Sequence, residues 1–191
     1  MTLGIVVEDQ RDANVYSALI KRIRSDVDVV LERPCRGVAG VRRNFVGYLK
    51  NFEWHAGYVV VKALVIRDCD RLEPRVAEDE LARILQQSEF QPSFPVHFYA
   101  TRREVETWLL ADEAAVNLVA RTRQKVPDAR TVAGSLEDIP NAKEQFRRML
   151  SQARLMAEPA VYAEVAAVAN FSRIIGRCPY FQEFVTRVRA C

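Results

Sequence analysis

The chain has 191 residues, 49% apolar and 28% charged, which suits one compact domain or a core with a helical extension and excludes a disordered chain. No unbroken apolar stretch is long enough to span a bilayer, and Met1 leads directly into an apolar run with no basic region before it, so a cytoplasmic protein without a membrane anchor is expected. A net charge of +3 is too small to announce nucleic-acid binding, and the excess of arginine, 23 against 5 lysines, is neutral on that point.

In chain order, residues 3–7 read as a short apolar strand. Residues 10–24 follow as an amphipathic helix with Val15, Leu19, Ile20 and Ile23 on one face. Residues 27–31 form a second strand, and the region of Pro34, Gly37 and Gly40 marks a loop. Beyond it Val41, Phe45, Tyr48, Leu49 and Phe52 recur at helical spacing. Residues 58–66 are nearly continuous in apolar character and rich in β-branched side chains, as a central strand covered on both faces should be. A helix over 73–89, a fourth strand over 95–100 and a helix from Arg103 complete the alternation. Strands alternating with helices imply right-handed crossovers and a parallel sheet, hence an α/β fold.

The character changes after about residue 121. Residues 122–140 are polar, with Pro127, Gly134 and Pro140, and read as a long loop. Residues 141–157, 159–169 and 179–189 then read as helices with no strand between them. The expected organisation is an α/β core over 1–121 and a loop plus helical C-terminal extension over 122–191, packed on that core. The cysteines, Cys35, Cys69, Cys178 and Cys191, show no C-x-x-C spacing and have only His55 and His97 for company. Free thiols are expected rather than a zinc site.

Ligands of open parallel sheets sit beyond the carboxyl ends of the strands. Strand one runs into Glu8, with Asp12 four residues later; strand three runs into Asp68-Cys69-Asp70; strand four is followed by Glu104 and Glu106. Each acid alone is ordinary, because Asp and Glu favour turns and helix starts. Alternate residues of an extended segment point the same way, so Asp68 and Asp70 converge, and ending an apolar strand on two charges is costly without a cation. Arg67 and Arg71 flank that pair, so a local salt-bridge network competes with a metal. Carboxylate oxygens without histidine or cysteine indicate Mg2+ or Mn2+. In the helix from Arg103, Glu104 and Glu106 lie on nearly opposite sides, so only one of them readily faces a given site. Val105, Trp108 and Leu109 form its core face, which makes Trp108 a packing residue rather than a base-stacking one. Asp112 falls near the same face as a buried hydrogen-bonding or helix-ending residue.

A glutamate after strand one and an Asp-x-Asp after strand three together resemble the TOPRIM signature of topoisomerases, primases and nucleases of the overcoming-lysogenization-defect type. The box Arg103-Glu104-Val105-Glu106-Thr107-Trp108-Leu109-Leu110-Ala111-Asp112, most specific in its Glu-x-Trp-Leu-Leu-Ala-Asp part, narrows the likeness to the bacterial TOPRIM-related family called domain of unknown function 4276. Asn141-Ala142-Lys143 and Cys178-Pro179-Tyr180-Phe181 with Phe184 echo its helical tail. The usual Glu-Gly is Glu8-Asp9 here, and the usual Asn-Pro-Lys is Asn-Ala-Lys. The resemblance implies a Mg2+-dependent, two-metal phosphodiester site. Glu8 would be a metal ligand or general base, with Asp12 beside it as a further ligand; Asp68 and Asp70 would hold the metals, and Glu106 or Glu104 would complete the coordination of the second metal. Lys143 would match a lysine that stabilises the transition state. It further implies nucleic acid as substrate and a separate ATPase as partner, as in phage-defence nucleases. Competing readings are a non-catalytic module binding a protein or nucleic acid, through surface arginines such as Arg42 and Arg43, and nucleotide chemistry at the same metals. No heptad or apolar patch indicates an oligomeric state.

Overall fold

The computed structural model describes residues 1–69 and 73–190. Four strands, β1 (Thr2–Val7), β2 (Val29–Pro34), β3 (Val60–Asp68) and β4 (Val96–Thr101), form one sheet in the order β2-β1-β3-β4, every neighbouring pair parallel. The crossovers are α1 (Gln10–Ile23), α2 (Gly37–Glu53) and α3 (Pro74–Gln87). The chain steps to one side from β1 to β2, then returns past β1 to β3 and on to β4. Right-handed crossovers therefore place α1 on one face and α2 and α3 on the other. The α/β expectation holds, with a parallel sheet of four strands between helices and a helical C-terminal region.

Two cores result. On one side α2 packs on β1 and β3, and α3 on β4, around Val6, Val41, Phe45, Leu49, Phe52, Val65 and Leu81. Gly4 belongs to this layer. A Cβ there would stand 2.6 Å from the Phe52 ring, and Phe52 is itself fully buried. Gly4→Ala is therefore expected to destabilise the fold by about 1–3 kcal/mol through overpacking, read as a lower urea midpoint at unchanged slope.

On the other face α1 packs on β1 and β2 and is covered in turn by the C-terminal helices. These follow α4 (Glu106–Leu109) and α5 (Glu113–Thr122), and comprise α6 (Ala142–Gln152), α7 (Pro159–Val168), α8 (Phe171–Arg177) and α9 (Tyr180–Ala190). Val7, Tyr16 and Leu19 share one continuous apolar core with Phe146, Tyr162, Phe181 and Phe184, so the C-terminal region closes the core of the sheet instead of standing apart from it. Three differences from the sequence reading concern local chemistry. Strand β2 runs on to Pro34, because an edge strand tolerates a proline whose missing N–H faces no neighbour. The helix expected from Arg103 is split: Asp112 caps a new helix, α5, by accepting from the Ala115 N–H. Helix α8, seven residues long, has too few apolar repeats to announce itself but carries an Asn170 N-cap that accepts from the Ser172 and Arg173 amides.

Trp108 is 3% exposed among the rings of Tyr16, Tyr99, Phe181 and Phe184. Asp112 is buried as well, accepting from the Asn170 N–H at 2.7 Å and pairing with Arg173 at 3.3 Å. The three described cysteines, Cys35, Cys69 and Cys178, are buried and form no disulfide with one another. Among the described residues no helix is long and apolar enough to cross a membrane.

Candidate functional site

The sheet order reverses between β1 and β3: β1 connects outward on one side, β3 on the other. That divergence opens a crevice at the carboxyl ends of the two strands, the place where ligands of open α/β sheets bind. Glu8 follows β1 and Asp68 ends β3, so the crevice is bounded by carboxylates. The two are joined directly, the Asp68 N–H donating to Oε1 of Glu8 at 2.7 Å.

Asp9, which stands where the resembled family has glycine, has φ −143° and ψ 175°. This is extended backbone open to any residue, so the turn after β1 does not require glycine here. Its side chain caps α1 by accepting from the Arg11 and Asp12 amides at 2.7 and 2.9 Å. Capping fixes the first turn, in which Asp12 lies near enough to Glu8 and Asp68 for their charges to act on one another.

The electrostatics record this crowding. Burial raises the Asp12 carboxyl to about 8, with Asp9, Glu106 and Glu8 pushing the same way and Lys143 opposing them. Asp68 is also raised, first by burial and then by the charges of Glu8, Asp12, Glu106 and Glu104. Glu106 is 2% exposed, and burial raises its carboxyl too, though Lys143 and Arg11 pull the other way. One of its oxygens, Oε1, is buried without a hydrogen-bond partner. Glu106 is thus the acid from the β4 side that enters the cluster.

Glu104 has a different task. Helix α4 begins only at Glu106, so Glu104 lies in the irregular segment before it, and the opposite-sides geometry expected of a continuous helix does not apply. Its Oε2 accepts from the Lys143 N–H at 2.8 Å, which anchors the first turn of α6. That anchor delivers Lys143, whose Nζ lies 3.8 Å from Oδ2 of Asp9. A lysine at a helix N-terminus opposes the helix dipole, so the acids around it are what make the position favourable.

The salt-bridge alternative at Asp68 is resolved as far as Arg67. That guanidinium, 4% exposed, pairs with Glu80 on α3 at 2.7 Å, and Arg42 of α2 pairs with the same carboxylate at 2.6 Å. Alternation along β3 sends Arg67 to the α3 face and Asp68 to the α1 face, leaving Asp68 among acids. Asp70 and Arg71 lie outside the described residues. The structure therefore brings together Glu8, Asp12, Asp68, Glu106 and Lys143, with Glu104 one step behind as a support.

Two features of the site were not legible in the sequence. Tyr16, fully buried on α1, shares a hydrogen bond of 2.5 Å with Thr101 at the end of β4, and burial and the charges of Asp68 and Asp12 raise its pKa. Arg11 reaches into the cluster at 3.7 Å from Glu106. Its one sequence signal, a cation between Glu8 and Asp12 in an acidic turn, does not say which way the side chain points.

Among the described residues no group of three His, Cys, Asp or Glu side chains is arranged as one that could hold a metal ion. The donor chemistry nevertheless fits a hard divalent cation. The groups able to donate to a cation are all carboxylates, set beside the cations Arg11 and Lys143; three of them are held above their ordinary pKa by burial and mutual repulsion, and one buried carboxylate oxygen has no hydrogen bond.

Comparison of the chain with protein-family models, curated proteins and solved structures finds no match.

Proposed function

We propose that the chain is a TOPRIM-like phosphodiesterase that uses Mg2+ or Mn2+ to act on nucleic acid. The observation that carries this reading is the convergence of Glu8, Asp12, Asp68 and Glu106 at the switch point of the sheet, with a buried oxygen of Glu106 left without a hydrogen bond. Repelling carboxylates crowded together, Glu106 buried and Glu8, Asp12 and Asp68 half-buried, are costly, and proteins keep such clusters where a ligand neutralises them. Glu8, Asp12, Asp68 and Glu106 would hold the cation; Asp70, which the Asp-x-Asp likeness adds to this set, lies outside the described residues. Bound there, one or two divalent ions supply Lewis-acid activation of water and of the scissile phosphoryl group.

The chain's own groups set the rest of the chemistry. Glu8 is oriented by the Asp68 amide and serves as ligand or as acceptor of the attacking water's proton. Lys143, presented by α6 and anchored through Glu104, offsets negative charge as it builds on the phosphoryl oxygens. A separate ATPase would be a partner in such a system, as the TOPRIM likeness implies. The competing reading, a module that binds a protein or nucleic acid without cleaving it, draws on the two cations already within the cluster, Arg11 and Lys143.

Titration with Mg2+ and Mn2+ separates the two readings. Wild type is expected to melt higher as either ion is added, and Asp68→Asn to show little of that rise, since a ligand that binds only the folded state stabilises it by mass action. Supercoiled plasmid and single-stranded DNA or RNA should then be cut by wild type with Mg2+, with at least about a hundredfold loss in Asp68→Ala, corresponding to roughly 2.7 kcal/mol of barrier. Metal-independent melting together with equal, background cleavage by both proteins would leave the binding module standing.

A further inference from the structure

Arg11 has no role as a cation ligand, yet its guanidinium is held in place. It lies over the Tyr162 ring of α7, 4.8 Å from the centroid, so α1 and α7 together orient it. Its Nε and Nη1 are buried and have no hydrogen-bond acceptor. The carboxylate oxygen it faces, Oε1 of Glu106, stands 3.7 Å from Nη1, within ion-pair reach, and is equally buried without a hydrogen bond. That separation is too long for a hydrogen bond. Two groups of opposite charge, each costly to leave unsatisfied, thus face each other across a gap without closing it.

A phosphodiester beside a divalent cation would satisfy both. A guanidinium fork matches the spacing of phosphoryl oxygens, and a carboxylate oxygen matches the cation. We propose that Arg11 binds a non-bridging phosphoryl oxygen of a nucleic-acid phosphodiester seated at the carboxylate cluster, while Glu106 faces the cation. The proposal rests on the metal-site reading above and deepens it: it assigns the phosphate contact to a residue that the acids alone do not suggest. Tyr162 acts as the platform that holds the fork in register.

The test uses the full chain as wild type, Arg11→Gln and Arg11→Lys. Binding of a fluorescently labelled single-stranded oligodeoxynucleotide is followed by anisotropy, with Ca2+ replacing Mg2+ to hold off cleavage, and Mg2+-dependent melting is recorded on the same proteins. Arg11→Gln is expected to keep the Mg2+-dependent rise in melting temperature and to bind the oligonucleotide about tenfold more weakly or worse, with Arg11→Lys between it and wild type. Wild-type affinity in Arg11→Gln, with the Mg2+ response intact, overturns the proposal and leaves Arg11 as a charge partner of Glu106. A wild type that responds to Mg2+ but does not bind the oligonucleotide overturns it while the metal site stands. A wild type without any Mg2+ response overturns the metal reading, and this proposal with it. Where Arg11→Gln fails to fold, Arg11→Lys decides: weaker binding than wild type supports the phosphate contact, and equal binding overturns it.

Discussion

Asp12→Asn is expected to raise the melting temperature of the metal-free protein, and to raise it more at pH 8 than at pH 5. In the folded state the Asp12 carboxyl is held at about 8, against 3.8 as its ordinary value, by burial and then by Asp9, Glu106 and Glu8. The folded chain therefore holds a proton that the unfolded chain releases. Stability falls as pH rises from about 4 to about 8 and is flat beyond, the reverse of a salt-bridged aspartate. Asparagine keeps the shape and removes the charge, so the variant escapes this loss. Its advantage should be near zero at pH 4 and on the order of 3–5 kcal/mol above pH 8. For a chain of this size that corresponds to roughly 10 °C in melting temperature. Comparing variant with wild type at each pH cancels groups common to both, such as His97, whose pKa burial lowers. Saturating Mg2+ should narrow the gap by stabilising wild type alone. A variant less stable than wild type at every pH would mean that Asp12 is held as an anion by Lys143, and that the cluster is an ion-pair network rather than a cation site.

Trp108→Ala is expected to cost about 3–5 kcal/mol, enough to threaten folding at 37 °C. The indole is 3% exposed, with ring centroids 5.0 Å from both Phe181 and Phe184, 5.9 Å from Tyr16 and 6.4 Å from Tyr99. It ties α4 to α1, β4 and α9 at once. Removing it opens a cavity between the sheet and the C-terminal helices, which explains why the loss exceeds that of a typical core truncation. Trp108→Phe should lose less than half as much. Chemical denaturation with oligonucleotide binding measured in parallel checks the assignment: a stacking role for Trp108 would show as lost binding at unchanged stability, the opposite of what its burial implies.

The period of the apolar residues was sufficient for the α/β class, since a nearly continuous apolar run such as β3 is stable only with helices on both faces. It also sufficed to put Glu8, Asp12 and Asp68 at one rim, because parallel strands all deliver their carboxyl ends to the same side. Local chemistry likewise marked Trp108 and Asp112 as interior, on helical spacing alone. What the chain pattern could not supply is which side chains meet across elements, since each such meeting joins residues far apart in sequence. Arg67 pairs with Glu80 instead of Asp68 because strand alternation turns it toward α3. Glu106 enters the cluster while Glu104 anchors α6, because the helix starts three residues later than its pattern suggests. Arg11 faces Glu106 because Tyr162, on a helix far along the chain, closes over it. The residue types of the site are thus written in short local motifs, whereas their pairing and the rise in their pKa values follow from burial that tertiary packing creates, with the C-terminal helices closing one side of that core.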